Sequence, residues 1–481
     1  MAGRWAFFSG KTGRSIAGRR ASIRQERGTP SKREKIRMTN SSMQRTLGLG
    51  GTVAIIVGYV VGASIFILPG QLAHTAGPGL FISFLIAAVF AMFICGICAQ
   101  VGSALPISGA GYVLVSRALS PFAGFMYFWT TMLCISVAIP LVAYGFADYL
   151  SFFLPGIHPM TTAVTIIAVC TLINILGVGI ASSIQTLLVI EFIAALLIFG
   201  IGGMFHLKSD HFVPLFPMGI KPVFLMAIPA CFSYTGFVVI TSLGDEIKKP
   251  SRTIPLGLLI SLSVIVLVYT LVAIAVPGIL PWQTLDQVSA PVAAASKLFL
   301  PSWLADLIAG SALAAAFTSV NGALLGQARD CYAVAGDRIL PWPFTYVSPR
   351  FKTPVAAILL VAALAVIGTV CGSSIKDYAI LTVIGFTILK CLLSVATIRL
   401  PAKLPESYAR ARFKLGPVGR LFFPAGLILF ALAFLFVGSA HNLTQSVVLI
   451  SILMLGALYY RIRRFQLNHR NNCKLLIVNY E

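Results

Sequence analysis

The chain has 481 residues, of which 58% are hydrophobic and only 10% are charged. Soluble domains carry about 25% charged residues, so this composition excludes an ordinary soluble globular protein. The formal net charge of +22 would suit a nucleic-acid-binding protein, but the basic residues lie at the two ends and in alternate loops, which is how membrane topology is encoded. We therefore expect a protein embedded in a lipid bilayer that binds no nucleic acid.

The first 46 residues are rich in arginine, serine and glycine and contain no long apolar segment, which argues against a cleavable signal peptide. We expect this basic head to be disordered and cytoplasmic. A mitochondrial transit peptide is an alternative, although Glu26 and Glu34 weaken it. A second alternative is that translation starts at Met38 or Met43, in which case residues 1–37 do not belong to the native protein.

Apolar runs of about 20 residues, the length that crosses a bilayer, recur between residues 47 and 460. They predict an all-α membrane protein with one domain of twelve transmembrane helices at 47–460 and a basic cytoplasmic tail at 461–481. The predicted spans are 50–70, 79–103, 120–150, 160–178, 183–205, 223–243, 254–278, 302–328, 354–371, 377–398, 421–438 and 443–460.

The distribution of Lys and Arg supports this topology. If the N-terminus is cytoplasmic, 31 of the 36 basic residues fall on the cytoplasmic side, and the outer loops hold only Lys208, Lys221, Lys297 and Lys376. An error of one span would invert every later loop and remove the asymmetry. We therefore expect a multi-pass protein of the inner (plasma) membrane with both termini in the cytoplasm.

The nine cysteines are scattered, and most lie within apolar segments, which indicates buried hydrophobic residues and not a disulfide framework. Cys95 and Cys98 have the spacing of a metal or redox pair, but no second pair and no neighbouring histidine accompanies them. The sequence contains no cluster of His, Asp and Glu and no nucleophile motif. We expect neither a metal site nor a cofactor, and we do not expect an enzyme.

The first and sixth predicted spans contain helix-weakening residues near their middles, namely Gly58 and Gly62 in the first and Pro229 and Gly236 in the sixth. Broken backbone at membrane depth is tolerated where it lines a cavity. The two spans lie five apart and so run in opposite directions, which is typical of an inverted repeat with a substrate site at the midplane. The alternative is that the glycines only allow close helix packing.

Several stretches resemble the amino acid–polyamine–organocation permeases, in family order from residue 47 to about residue 460. They are Gly62-Ala-Ser-Ile-Phe66 with Pro69-Gly70, Phe232-Ser-Tyr-Thr-Gly-Phe237, Asp245 to Pro255, Asn321 to Asp330, Asp337 to Pro341 and Lys352 to Pro354. The resemblance implies the LeuT-type fold, with five plus five inverted helices and two more appended, and the transport of an amino acid. Two positions differ from the family pattern. Ser64 replaces a glycine, and Val238 stands where many relatives carry Glu, which favours a neutral over a cationic substrate.

The resemblance also implies which groups bind the substrate. An amino acid needs donors for its carboxylate and acceptors for its ammonium, and unwound helix ends supply both. The backbone amides of Ala63, Ser64 and Ile65 are assigned to the carboxylate, and the carbonyls of Val60, Phe232 and Thr235 to the ammonium. Phe232 also matches the position of an aromatic gate, although ordinary helix packing is the alternative for its ring.

Ionisable residues inside spans are costly and are functional candidates by default. Glu191 in the fifth span is the candidate for proton coupling, with a structural pair to a neighbouring helix as the alternative. The adjacent hydroxyls of Thr318 and Ser319 in the eighth span resemble the sodium site of sodium-coupled LeuT-type carriers, with helix packing as the alternative. We expect the coupling ion to be a proton and not sodium. Lys390 in the tenth span stays without an assigned role.

Mixed charges at 245–252 and 329–338 fall on the predicted cytoplasmic face. We interpret them as ion pairs of an inner gate, with ordinary solvated loop charge as the alternative. The sequence thus predicts a secondary active transporter for an amino acid. An antiporter or exporter of amino acids, amines or polyamines and a sodium-coupled symporter remain open, and a channel is disfavoured because the spans offer few polar stretches for a pore. The sequence leaves open which amino acid is carried and in which oligomeric state.

Overall fold

A computed structural model describes residues 45–62, 64–288, 290–371, 375–441 and 443–478. The expected disorder of residues 1–44 and the site role of Ala63 lie outside the described residues. Within these ranges the chain is helical, and no strand occurs apart from an isolated parallel bridge between Leu47 and Ile247. The all-helical prediction is therefore confirmed.

The α-helices of the described residues are α1 (Leu49–Val61), α2 (Ser64–Ala76), α3 (Leu80–Ala104), α4 (Ala110–Ala118), α5 (Pro121–Phe153), α6 (Pro159–Leu176), α7 (Val178–Met204), α8 (Ile220–Phe232), α9 (Pro250–Ile279), α10 (Pro291–Ser296), α11 (Ser302–Gly336), α12 (Val355–Cys371), α13 (Ile375–Lys403), α14 (Pro405–Arg410), α15 (Pro417–His441) and α16 (Leu443–Val478). Short 3₁₀ helices lie at Gly77–Gly79, Ser209–Phe212, Thr235–Ser242, Trp282–Gln287 and Trp342–Thr345.

Helices occupy the position of every predicted span. Among the described residues, 8 helical segments are long and apolar enough to cross a membrane, and they are Leu49–Ala104, Pro121–Ser151, Pro159–Leu176, Val178–Met204, Ile220–Ser242, Pro250–Ile279, Ser302–Gly336 and Gly385–Lys403. Two shorter apolar helices are Val355–Cys371 and Pro417–Ala433. The chain is thus a multi-pass membrane protein, while the number twelve stays a prediction.

The last helix extends beyond the predicted span. α16 continues to Val478 and so includes most of the segment expected to be a basic tail. No Gly or Pro follows Gly456 in the sequence, so nothing in the chain stops the helix where the apolar residues end. The short helices α4, α10 and α14 lie in connections between predicted spans and were not predicted.

The first and sixth spans are broken where the sequence indicated. α1 ends at Val61, and Gly62 adopts a positive φ of 43° before α2 begins at Ser64. α8 ends at Phe232, and after a two-residue turn the chain continues as the 3₁₀ helix at 235–242. α1 packs against this 3₁₀ helix and α2 packs against α8, so the two broken spans lie side by side.

Two glycines permit this close approach. A Cβ atom on Gly236 would lie 3.1 Å from the Cα atom of Val60, which is backbone that cannot easily yield. A Cβ atom on Gly62 would meet the Ser319 hydroxyl at 2.8 Å, and its positive φ would strain any L-residue. The glycines therefore serve close packing and the break together, and the two explanations offered by the sequence are not exclusive.

Candidate functional site

A cavity of about 1010 Å³ opens beside the two helix breaks. Its lining includes Val60, Ser64, Phe232 and Thr235, four of the residues predicted to bind a substrate, together with Ser319. Ile65 is fully buried and is not among the lining residues, although its backbone amide is one of the first two of α2. The cavity extends past Gln71, Asp148 and Ser151 toward the predicted outer face.

The helix ends at the cavity supply both donors and acceptors. Ser64 and Ile65 begin α2, and the first amides of a helix have no partner within it. The Ser64 hydroxyl lies 3.3 Å from the Val61 carbonyl across the break. At the other break, the Thr235 hydroxyl donates to the Phe232 carbonyl at 2.9 Å. A small zwitterion would find backbone donors and carbonyl acceptors in this region without a fixed net charge.

A tyrosine from α9 joins the two breaks. The Tyr269 hydroxyl is fully buried and lies 3.3 Å from the carbonyls of Val60 and Val61 and 3.2 Å from that of Ser233. Its single proton can satisfy only one of these carbonyls at a time. Sequence reasoning missed this residue, since a lone tyrosine in an apolar span gives no signal of what it contacts.

The predicted sodium residues pack directly against the first break. The Thr318 hydroxyl lies 3.0 Å from the Gly58 carbonyl, and the Ser319 hydroxyl lies 3.1 and 3.2 Å from the carbonyls of Gly58 and Tyr59. The structure therefore brings hydroxyl oxygens of α11 and carbonyl oxygens of α1 together. Such a set of oxygen atoms suits a hard cation, and the same groups also satisfy one another by hydrogen bonds.

Behind these hydroxyls lies a buried chain of carboxamides that the sequence analysis did not identify. Asn174 donates to Asn321 Oδ1 at 2.7 Å, and Asn321 donates to Gln185 Oε1 at 2.9 Å. Gln185 in turn donates to the Thr318 carbonyl at 3.1 Å. A Cβ atom on Gly58 would lie 2.3 Å from the Gln185 amide nitrogen, so only glycine lets this amide reach α1. These hydrogen bonds tie α6, α7 and α11 to the first break.

Glu191 lies on α7 and is not among the lining residues of the large cavity. Its Oε2 atom is buried and has no hydrogen-bond partner within the described part of the chain. Its neighbours Leu187 and Ile190 are 70% and 63% exposed on the surface that would face lipid. The structure thus places Glu191 at the edge of the helix bundle and away from the breaks. Of the other acids, Asp306 is exposed and Asp148 lines the cavity.

A second cavity, of about 50 Å³, adjoins the first on its predicted cytoplasmic side. We call it the inner cavity, and its polar lining residues are Tyr59, Tyr127, Thr131, Thr235, Ser242, Gln327, Asp330 and Lys390. Val238 also lines it. The Lys390 ammonium lies 4.4 Å from the centroid of the Phe90 ring. Lys390 therefore faces the interior of the bundle and does not extend to the membrane surface.

Several predicted gate residues contact one another or the backbone on the predicted cytoplasmic side. Arg329 donates to Glu246 Oε1 at 2.9 and 3.2 Å, and neither side chain has exposed surface. The backbone of Leu47 bonds to Glu246 and Lys248 at 2.9 and 2.8 Å, which fastens the start of α1 to the segment before α9. Asp245 accepts from the Ser108 backbone at 2.9 Å.

Asp337 has partners outside the predicted set. It accepts from the Tyr112 hydroxyl at 2.8 Å and lies 3.7 Å from Arg117. Burial and the Asp337 carboxylate raise the pKa of Tyr112, so its hydroxyl remains a donor at physiological pH. Asp245, Glu246, Arg329 and Asp337 thus have specific partners, whereas Lys249 and Arg252 are exposed.

Comparisons with known proteins identify the family to which the sequence is similar. The chain matches the amino acid permease family over residues 47–458. It is 30% identical over 398 residues to the methylthioribose transporter of Bacillus subtilis, covering 79% of this chain and 86% of that protein. It is 29% identical over 386 residues to the branched-chain amino acid permease BcaP of the same bacterium, covering 76% and 83%. It is also 28% identical over 338 residues to the vacuolar cationic amino acid transporter 4 of Arabidopsis thaliana, covering 65% and 56%.

Proposed function

The chain belongs to the amino acid permease family, and on this basis we propose that it is a secondary active transporter that carries a neutral amino acid across the plasma membrane by alternating access. The family membership confirms the resemblance found in the sequence. The observation that carries the proposal is the cavity of about 1010 Å³ between the two broken spans, with helix ends from both spans in its lining. Such paired breaks bind substrates in transporters with inverted repeats.

The preference for a neutral substrate is supported by the charges around the cavity. Among the described residues, its lining contains one acidic residue, Asp148, which lies toward the predicted outer face, and no basic residue. Val238, which replaces the family's Glu, adds no charge on the inner side. Among the relatives, the branched-chain permease is named for neutral amino acids, whereas the plant relative is named for cationic ones. The carboxylate that would attract a cation is missing at the position where the family carries it.

The proposed topology has twelve spans, an inverted five-plus-five repeat and both termini in the cytoplasm. Helices at every predicted span and the basic residues on alternate loops support the number and orientation. The repeat is supported by the short helices α4 and α10, which lie after the second and seventh spans and so are also five spans apart. The buried contacts at the cytoplasmic face and the large outer cavity support an outward-facing state.

Uptake into proteoliposomes tests the function. We expect the purified chain to accumulate leucine or another neutral amino acid when the outside is acidic, and to take up arginine at least tenfold more slowly. A sodium gradient alone is expected to have no effect. Uptake that ignores both gradients but requires internal substrate would instead identify an exchanger or exporter. The absence of flux for every amino acid and amine would refute the proposal.

The proposed coupling ion is a proton, with Glu191 as a candidate carrier because its carboxylate has a buried oxygen with no hydrogen-bond partner among the described residues. Glu191→Gln keeps the size of the side chain and removes its proton exchange. We expect this variant to lose the uptake driven by a pH gradient while retaining exchange of internal for external substrate. Driven uptake equal to that of the wild type would eliminate Glu191 from the coupling.

Sodium coupling is the second candidate, because the hydroxyls of Thr318 and Ser319 face carbonyls of α1 at 3.0 to 3.2 Å. If the coupling ion is a proton, we expect sodium to have no effect on uptake by the wild type or by Thr318→Val. Stimulation of wild-type uptake by sodium at constant pH, removed by Thr318→Val, would establish the sodium alternative. The exposed Thr165, which bonds only within its own helix, offers a control as Thr165→Val.

A further inference from the structure

A lysine and an aspartate line the inner cavity without forming an ion pair with each other. Lys390 is 6% exposed and Asp330 is 7% exposed, and they come from α13 and α11. In the described part of the chain the Lys390 ammonium forms no hydrogen bond or ion pair, and it lies over the Phe90 ring. A buried ammonium without a counter-charge is costly, and such groups in membrane proteins are functional by default.

The inner cavity is built to hold water. The amide nitrogen and oxygen of Gln327 are both buried, and neither has a hydrogen-bond partner among the described residues. Gln327 lines the same cavity as Lys390 and Asp330. Because one water needs about 10–15 Å³ and two to four polar partners, a cavity of about 50 Å³ accommodates about three to five water molecules. Water there would satisfy Gln327 and connect the two titratable side chains.

We propose that the inner cavity is a proton-transfer site in which Lys390 and Asp330 exchange one proton through bridging water. This inference rests on the proposed transport function and adds two residues, separate from Glu191, to its proton path. An N–H bond of the Lys390 ammonium breaks as an O–H bond forms on the first water of the cavity, each further water accepts one proton and passes one on, and the last water gives a proton to the Asp330 carboxylate. The products are a neutral amine and a neutral carboxylic acid, so the step removes two buried charges and needs no other reactant.

The other titratable groups around the inner cavity are less suited to exchange a proton than Lys390 and Asp330. Lys390 is near the thiols of Cys134, Cys231 and Cys391 from α5, α8 and its own helix. Asp330 is near Tyr59, Tyr127 and Cys331 from α1, α5 and its own helix. Thiols and phenols are neutral at physiological pH in water, with ordinary pKa values of about 8.5 and 10. The Glu246 carboxylate next to this region already pairs with Arg329.

The inner cavity shares part of its wall with the substrate cavity. Tyr59, Thr235, Gly236 and Phe386 line both. Phe386 lies four residues before Lys390 on α13, which places the two side chains on the same face of the helix, one turn apart. A bound substrate and the proton-carrying side chains would therefore contact the same wall residues, so that substrate binding can influence proton transfer. Opening of the cytoplasmic face would then let Asp330 release its proton to bulk water.

The experiment uses the full chain in proteoliposomes, with leucine uptake, leucine exchange and internal pH followed in parallel. A gradient of one pH unit allows up to about tenfold accumulation for one proton per substrate, because a tenfold ratio corresponds to about 1.36 kcal/mol. We expect Lys390→Met and Asp330→Asn to lose this accumulation and the associated proton entry, while leucine exchange at equal pH continues. Asp330→Glu keeps a carboxyl group and is expected to retain driven accumulation.

Control variants remove the same charges elsewhere. Lys221→Met and Asp306→Asn alter exposed residues and are expected to behave as the wild type. Driven accumulation in Lys390→Met or Asp330→Asn at the wild-type level would overturn the inference. Loss of exchange and accumulation together in both of these variants and in Asp330→Glu would also overturn it, because it would assign the two residues a structural role. Failure of the wild type to transport any amino acid would instead refute the proposed function.

Discussion

Arg329→Met is expected to destabilise the protein by about 3–5 kcal/mol, because it leaves the Glu246 carboxylate buried without its counter-charge. The two side chains have no exposed surface and share two hydrogen bonds at the predicted cytoplasmic end of the bundle. Glu246 Oε2 already lacks a partner among the described residues, so Arg329 is the main compensation for this charge. The loss is measured as a lower midpoint of thermal unfolding in detergent.

The double variant Glu246→Gln with Arg329→Met separates the charge from the packing. It removes both charges, and we expect it to be more stable than Arg329→Met alone. Arg252→Met removes an exposed guanidinium near the same face and should change stability by less than about 1 kcal/mol. Equal stability of Arg329→Met and the wild type would contradict a buried pair that holds the inner face closed.

Tyr269→Phe is expected to reduce the rate of transport by about tenfold. The substitution removes a hydroxyl that lies within 3.3 Å of three carbonyls, two from the first break and one from the sixth. A buried acceptor left without its donor costs about 1–3 kcal/mol, and about 1.4 kcal/mol corresponds to a factor of ten. Because the hydroxyl contacts both breaks, its removal should alter the geometry of both, and we expect it to affect substrate binding as well as turnover.

Tyr144→Phe is the matched control for this prediction. The Tyr144 hydroxyl donates to the Thr369 carbonyl at 2.9 Å, between α5 and α12, and contacts neither break. We expect this variant to lose a hydrogen bond of similar strength but to keep transport within about twofold of the wild type. Comparable losses in the two tyrosine variants would mean that Tyr269 contributes only general stability.

The sequence was sufficient for what depends on local pattern. Apolar runs located the helices, and Gly62 and Gly236 located the breaks, because both signals come from neighbouring residues. The extension of α16 beyond the predicted span was not predicted, since apolar residues end at the membrane surface but a helix continues until a residue stops it. The short helices in the connections, such as α4, were not predicted because they are too short to give an apolar run.

The candidate site was only partly accessible from the sequence. Motif spacing selected Val60, Ser64, Phe232 and Thr235, which do line one cavity. The Tyr269 bridge and the Gln185 carboxamide could not be predicted, because each depends on a contact between distant segments. Lys390 was visible as an ionisable residue in a span, but its relation to Asp330 required the packing of α13 against the rest of the bundle. Whether the cavity-lining residues bind substrate stays a prediction.

Protection of a cysteine at Thr235 by substrate tests the central claim most directly, since Thr235 lines both cavities beside the sixth break. Thr235→Cys in the full chain would be labelled from the outside with a membrane-impermeant thiol reagent, and the wild type, whose own cysteines give the background, is the control. We expect saturating leucine to slow the labelling by about tenfold or more and arginine to leave it unchanged. Labelling at the same rate with and without every neutral amino acid would contradict a substrate site between the two breaks.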